Sequence, residues 1–218
     1  MQHLCCGRPL YDYGFLTKAR RYLSDILNAL ADEIEAGTPM VVLEPSCCSV
    51  FRDELNGLMP DSQQAHRLME NTFTLSEFVE KKVRNYDPPQ LKRKAIVQGH
   101  CHHQAIMRLE DEEAVMQKMG IDYEVLNSGC CGMAGSFGHE AEKYEVSIAC
   151  GERVLFPAVR SAGLSMLVIV DEFSCKEQIL QDTPRQALHL AEVMQMALHQ
   201  GDENLRQMYR KKCSRPNG

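Results

Sequence analysis

The fold is decided by the stretch Leu167-Val168-Ile169-Val170-Asp171-Glu172-Phe173-Ser174-Cys175, in which a short apolar run is followed shortly by a cysteine. The same order recurs at Val41-Val42-Leu43 before Cys47-Cys48, at Ala95-Ile96-Val97 before Cys101, and at Val125-Leu126 before Cys130-Cys131. Short runs rich in Val, Ile and Leu that alternate with helical stretches are typical of buried parallel strands. We therefore predict an α/β fold whose cysteines gather at the carboxyl ends of parallel strands, where ligands bind in such sheets.

The chain contains two copies of one pattern. Each copy has a triplet, Cys5-Cys6-Gly7 or Cys130-Cys131-Gly132, and then a helix, an apolar strand and a further cysteine, Cys47 or Cys175. An aromatic residue followed by glycine comes after each triplet at nearly the same distance. The repeat predicts two lobes related by a pseudo-twofold axis, each a small parallel sheet flanked by helices.

The second copy begins with an element that the first copy lacks, Gly99-His100-Cys101-His102-His103. At the same spacing, the counterpart of this element would stand before Met1. We therefore expect the first lobe to be truncated at its N-terminus and the chain to be the carboxyl-terminal part of something longer.

The two lobes are predicted to divide at a pair of prolines. Residues 62–84 have an amphipathic pattern that predicts a connecting helix, and Asp87-Pro88-Pro89 ends it, because proline lacks a backbone donor and constrains the residue before it. We place the first lobe with its connector at residues 1–89, the second lobe at 90–200, and a basic tail, which contains Cys213, at 201–218.

The composition excludes several classes of protein. A net charge of −6 gives no reason to expect a nucleic-acid partner. No stretch approaches the ~20 apolar residues of a membrane span, and the first residues lack the features of a secretory signal. We expect a cytoplasmic protein, either free or peripheral to the inner face of the membrane. Ten cysteines in such a protein favour metal binding or redox chemistry over a disulfide framework.

Thiolates that converge at strand ends bind soft metals or iron–sulfur clusters. In the second lobe the predicted ligands are Cys101, Cys130, Cys131 and Cys175, which come from three strand ends. In the first lobe Cys5, Cys6, Cys47 and Cys48 offer three or four metal ligands. His100 or His102 is either a ligand or a hydrogen-bonding neighbour of the thiolates, and Cys150 is interpreted as a small buried thiol within a helix.

These motifs resemble the cysteine-rich domain of several redox proteins. Among them are the iron–sulfur subunit of glycolate oxidase, a subunit of anaerobic glycerol-3-phosphate dehydrogenase, lactate-utilisation proteins and a subunit of heterodisulfide reductase. The segments 100–106, 128–138 and 173–179 look like the C-terminal end of single-chain FAD-linked oxidases of D-2-hydroxy acids such as lactate, glycolate or 2-hydroxyglutarate. The resemblance covers nearly residues 1–200.

The resemblance implies an electron-transfer module that holds an iron–sulfur cluster, of the 4Fe–4S type, on Cys101, Cys130, Cys131 and Cys175. It implies zinc as one occupant of the first lobe, FAD on a partner or an upstream domain, a ferredoxin-like domain and a downstream electron acceptor. The chain is then inactive as a dehydrogenase without the flavin domain.

One departure from the heterodisulfide reductase pattern is that Cys175 stands alone where those relatives have Cys-x-x-Cys. Two alternatives therefore stay open: thiol–disulfide chemistry of the heterodisulfide reductase kind, and a zinc-stapled module that only binds partners.

Overall fold

The computed structural model describes residues 4–199, which contain twelve α-helices and five strands. The strands are β1 Met40–Val41, β2 Thr72–Phe73, β3 Lys94–Val97, β4 Asp122–Val125 and β5 Leu167–Ile169. The helices are α1 Arg8–Asp12, α2 Leu16–Ala29, α3 Ala31–Ala36, α4 Pro45–Ser49, α5 Leu55–Leu58, α6 Gln63–Glu70, α7 Leu75–Lys81, α8 Glu110–Lys118, α9 Tyr144–Glu152, α10 Leu155–Ser161, α11 Phe173–Asp182 and α12 Leu190–Leu198. None of the helices within this part of the chain has the length and apolar character needed to cross a bilayer.

The second sheet has three parallel strands in the order β4-β3-β5. Successive residues of a strand point to opposite faces of the sheet, and both faces of this sheet are covered. Leu167 and Ile169 belong to the core shared with α8 and α12, whereas Val168 belongs to the core shared with α10 and α11. The predicted α/β fold with small parallel sheets is confirmed.

The first sheet has two parallel strands, β1 and β2, and its core lies against α2, α5 and α6. β1 precedes Cys47 in the same way that β5 precedes Cys175. β2 pairs with β1, and at the corresponding place in the second sheet Leu188 pairs with Ile169 of β5 through an isolated parallel bridge. The helices that follow, α7 and α12, each begin with a capping box, formed by Thr74 with Glu77 and by His189 with Glu192. The repeat therefore extends beyond the cysteine motifs. Counterparts of β3 and β4 are absent from the first sheet within residues 4–199.

The prediction of a single connecting helix over residues 62–84 was wrong. The segment contains α6, then β2, then α7. One reason is the Thr74 hydroxyl, which accepts a hydrogen bond from the Glu77 backbone N–H and starts a new helix. The two residues before Thr74 pair with β1 instead of continuing α6.

The two lobes cap each other's helices. Glu44 stands at the N-cap of α4 and Glu172 at the N-cap of α11, yet neither side chain caps its own helix. The Ser46 backbone N–H donates to Glu172 Oε2 at 2.9 Å, and the Phe173 backbone N–H donates to Glu44 Oε1 at 3.0 Å. N–H groups in a first helical turn have no partner inside their own helix. The exchange satisfies one such group in each lobe and fixes α4 against α11.

The same two carboxyl groups hold a proton between them. Burial, together with the hydrogen bond to Glu44, raises the pKa of Glu172 from 4.5 to about 9. Glu172 is only 4% exposed, and two adjacent carboxylates in such a setting do not both ionise. Glu172 is therefore neutral at pH 7 and donates to Glu44.

We predict that Glu172→Gln flattens the pH dependence of stability between pH 5 and 9. In the folded protein Glu172 keeps its proton until about pH 9, whereas in the unfolded chain it loses the proton near 4.5. Over that interval the unfolded state binds fewer protons, so the stability of the native protein falls as the pH rises. The amide of Gln copies the protonated carboxyl and removes this loss.

Thermal unfolding between pH 5 and 9 measures the effect, with about 2–4 °C of Tm expected for each kcal/mol. Glu124→Gln, at an exposed position, is the matched control. Parallel Tm profiles for the wild-type protein and Glu172→Gln would refute the shared-proton assignment.

We also predict unequal hydrogen exchange in the two sheets. β5 is entirely buried and has partners on both edges, whereas Val41 in β1 is exposed. Exposed, sparsely packed segments open at lower free energy than core strands, so amides of Met40–Val42 should exchange about tenfold faster or more than those of Leu167–Ile169. Equal protection factors, measured by NMR or mass spectrometry, would contradict this expectation.

Candidate metal centre

The four second-lobe cysteines meet at the carboxyl end of the three-stranded sheet. Cys101 follows β3, Cys130 and Cys131 lie in the loop after β4, and Cys175 lies in the first turn of α11 after β5. Contacts with Cys101 and Cys131 lower the pKa of Cys130, and neighbouring thiols, Cys175 among them, raise the pKa of Cys101 and of Cys131. The parallel strands thus bring all four predicted ligands close to one another.

The charge of this group is concentrated on one sulfur. Hydrogen bonds from Cys101 and Cys131, with a further one from the Gly132 backbone N–H at 3.3 Å, hold the pKa of Cys130 far below its usual value of 9. The same contacts, together with burial, raise the pKa of Cys101 and Cys131. The group therefore carries a thiolate at neutral pH, and thiolate is the form that binds metals.

The turn that presents Cys130 and Cys131 requires a glycine. Gly132 has φ 105°, a conformation that L side chains rarely adopt, and a Cβ at this position would lie 2.1 Å from the Ser147 carbonyl oxygen. Gln178 on α11 donates to the Cys131 carbonyl at 3.2 Å and to the Ser147 hydroxyl at 2.9 Å. These two hydrogen bonds hold the turn against both α9 and α11.

The three neighbouring histidines have different surroundings. His100 is buried, and its Nδ1 accepts from the His102 backbone N–H at 3.3 Å, so Nε2–H faces the Cys101 sulfur at 3.6 Å. Burial lowers the pKa of His100 to about 3, which keeps it neutral. His103 lies 3.4 Å from Glu112 on α8, away from the thiols. His100 thus fits the role of a hydrogen-bonding neighbour.

The first lobe assembles fewer thiols. The Cys6 and Cys47 sulfurs lie 3.0 Å apart, and this contact lowers the pKa of Cys6 to about 7. Cys5 is exposed, and its sulfur accepts from the Gly7 backbone N–H at 3.5 Å, just as Cys130 accepts from Gly132. Cys48 is fully buried beside Arg52, and burial raises the pKa of its thiol to about 12. Of the four first-lobe cysteines, the structure brings Cys6 and Cys47 into direct contact.

Four sulfurs from three strand ends form the donor set that iron–sulfur clusters use. The second-lobe residues therefore fit such a group in donor type and number. Within residues 4–199, no three Cys, His, Asp or Glu side chains are already arranged as ligands of a single metal ion. Cys150 lies partly exposed on α9, and Cys213 falls outside the described residues.

Sequence reasoning missed Glu44, Glu172 and Arg8. The signal for the carboxylates was present, because Glu44-Pro45-Ser46-Cys47 and Glu172-Phe173-Ser174-Cys175 both place a glutamate three residues before a cysteine. Arg8 is buried, donates to the Ser49 hydroxyl at 2.7 Å and pairs with Glu54. Its charge also helps to lower the pKa of His102, so it reaches the neighbourhood of the second-lobe site.

Residues 99–179 match the sequence model of a protein family described as the cysteine-rich domain, CCG. The chain is 28% identical over 199 residues to a subunit of the anaerobic glycerol-3-phosphate dehydrogenase of Escherichia coli (strain K12), covering 89% of this chain and 49% of that protein. It is 26% identical over 193 residues to D-2-hydroxyglutarate dehydrogenase of Pseudomonas putida, covering 86% of this chain and 18% of that protein.

Lactate utilization protein A of Bacillus velezensis is 25% identical over 142 residues, with 62% of this chain and 58% of that protein covered. The chain spans about half the length of the first of these relatives and less than a fifth of the second. All four second-lobe cysteines lie inside the segment that matches the family. The resemblance carried by the cysteine motifs is confirmed, because residues 99–179 match the cysteine-rich domain.

Proposed function

We propose that this chain is the electron-transfer part of a flavin-dependent dehydrogenase and that its second lobe holds a 4Fe–4S cluster. Cys101, Cys130, Cys131 and Cys175 would be the ligands. The observation that carries the proposal is that these four cysteines follow the carboxyl ends of three parallel strands that pair with one another. A bound cluster of this kind supplies one-electron chemistry.

The protein's own groups prepare the site for a thiolate-bound centre. Cys131 and Cys175 are 1% exposed, so the protein keeps water away from two of the four sulfurs. The Gly132 N–H and the His100 Nε2–H point at Cys130 and Cys101, where they stabilise negative charge on sulfur. Hydrogen bonds to ligand sulfurs and burial are the means by which proteins adjust the potential of such a centre.

We propose that the electrons come from a small hydroxy acid oxidised at a flavin on a partner or another domain. Relatives of this chain are named for D-2-hydroxyglutarate and for lactate, both of which are 2-hydroxy acids. The sequence contains no Gly-x-Gly-x-x-Gly fingerprint after a strand. A ferredoxin-like domain and a downstream acceptor complete the proposed path, which we place inside the cell at or near the membrane.

We predict that Cys131→Ser and Cys175→Ser each lower the iron content of the anaerobically reconstituted protein by about tenfold or more, since even outer-shell changes at metal sites cost 10–100-fold in affinity. Cys150→Ser is the matched control, because Cys150 lies on α9 and is not among the four proposed ligands. Iron and sulfide analysis of the three variants measures the effect. Equal iron content in all three variants would refute the assignment of Cys131 and Cys175 as ligands.

We also predict that the reconstituted chain alone has no dehydrogenase activity, and that its visible absorbance bleaches when a D-2-hydroxy acid is added in the presence of the cognate flavoprotein. The reason is that electrons reach the thiol-bound centre only after substrate oxidation at the flavin. Anaerobic absorbance spectroscopy follows the reaction, with the Cys131→Ser protein as control. Bleaching by substrate without flavoprotein, or none with it, would argue against the electron-relay proposal.

A further inference from the structure

One face of the three-stranded sheet is only partly covered. On this face Ile96 of β3 and Val168 of β5 belong to the core shared with α10. The residues of β4 that point to the same face, Asp122 and Glu124, are exposed. An open cavity of about 370 Å³ lies between β4 and α10. Helices normally cover both faces of a parallel sheet, so β4 lacks a cover on this face within residues 4–199.

The cavity is a groove with an apolar lining and a charged rim. The apolar lining comes from β3, from the end of β4, and from α10 with the turn after it: Ile96, Leu126, Ala158, Ala162 and Met166. The rim is formed by Asp122, Glu124 and Lys94, and Lys94 pairs with Asp122 at 3.4 Å. Such a groove fits a helix with an apolar stripe that carries positive charge on its flank.

We propose that residues 203–212 of this chain form an amphipathic helix that lies in this groove. These residues lie outside the described part of the chain, and their sequence supports the proposal. Leu205, Met208 and Tyr209 have the i, i+3, i+4 spacing of one apolar stripe. Glu203 opens the segment and basic residues close it, which is the order of charge that the helix dipole favours.

The dimensions of the segment match those of β4. Residues 205–212 would form a helix about 12 Å long, and the four residues of β4 extend over about 13 Å. Arg206 and Arg210 would lie on one flank of the apolar stripe, about 6 Å apart along the helix. Asp122 and Glu124 lie two residues apart on β4, which is about 7 Å. The two arginines therefore match the two carboxylates of the rim in spacing and in charge.

α12 carries the chain to the groove. At its start, the Leu190 backbone N–H donates to Asp171 Oδ1 at 2.7 Å, so this end lies at the carboxyl end of β5. Near its last turn, the Met196 sulfur lies 3.8 Å from Nη1 of Arg93, the residue directly before β3. α12 therefore runs back along the sheet and ends at the amino ends of the strands.

The groove opens at that same end of the sheet. Arg93, which contacts the last turn of α12, also donates to the carbonyl of Ser165, the residue directly before Met166 of the groove. Residues 200–205 span up to about 20 Å when extended. Leu205 is therefore within reach of the groove when α12 keeps its position.

The first test uses tryptophan fluorescence on the whole chain, which contains no Trp of its own. Tyr209→Trp places the reporter in the proposed apolar stripe. We expect a blue-shifted emission and several-fold weaker quenching by acrylamide than in the denatured protein. Adding Glu124→Arg should strengthen the quenching, because it sets a positive charge against the arginines. Glu70→Arg, at an exposed position on α6, is the matched control and should leave the quenching unchanged.

The second test is hydrogen exchange of the wild-type chain, followed by mass spectrometry. Peptides that cover residues 203–212 should be protected. Met208→Asp puts a charge into the apolar groove, so it should speed exchange both in that segment and in residues 122–126. Gln207→Asp is the matched control, because Gln207 would lie on the opposite side of the helix.

Three results would overturn the proposal. They are quenching of Tyr209→Trp as strong as in the denatured protein, equal responses to Glu124→Arg and Glu70→Arg, and protection that appears only at concentrations at which the chain dimerises. The last result would assign the groove to a second copy of the chain. None of the substitutions changes a cysteine, so the iron content of the same samples reports separately on the proposed cluster.

Discussion

The exchange of helix caps between Glu44 and Glu172 is the contact on which the arrangement of both thiol sites depends. Each carboxyl group satisfies a backbone N–H of the other lobe's helix, and the two carboxyl groups share one proton. Cys47 and Cys175 lie in the first turns of those helices, three residues after the glutamates. The orientation of a helix fixes the direction of the side chains in its first turn, so each lobe helps to position a sulfur of the other.

The charges around the two sites are balanced over a larger network. Hydrogen bonds stabilise a thiolate at Cys130, and on the first-lobe side the contact with Cys47 and the buried guanidinium of Arg8 both lower the pKa of Cys6. A buried charge is costly unless it is paired, and Arg8 has Glu54 and Asp12 as partners. His100, neutral and placed between Cys101 and Glu172, connects the thiol site to the lobe contact. The second-lobe thiol site and the junction of the lobes are thus parts of one polar interior.

The local pattern of the chain was sufficient to predict the three-stranded parallel sheet and the end of it at which the second-lobe cysteines lie, whereas metal binding by those cysteines stays a prediction. Apolar runs such as Leu167–Val170 that end shortly before cysteines determine both the parallel strands and the edge at which the thiols meet. The pattern failed where long-range pairing outweighs local preference. Thr72 and Phe73 read as part of an amphipathic helix, and they form β2 only because β1 lies beside them. Glu44 and Glu172 were missed, because no local pattern shows that each of two carboxyl groups caps the helix of the other.

If the second-lobe thiols bind an iron–sulfur cluster, as we propose, the purified protein carries iron and sulfide. The whole chain, purified without oxygen, is analysed for metal and acid-labile sulfide, and its electron paramagnetic resonance spectrum is recorded after reduction with dithionite. We expect a brown protein with iron and sulfide in equal amounts and the resonance of a reduced cluster. A colourless protein that contains zinc, or no metal, would contradict it.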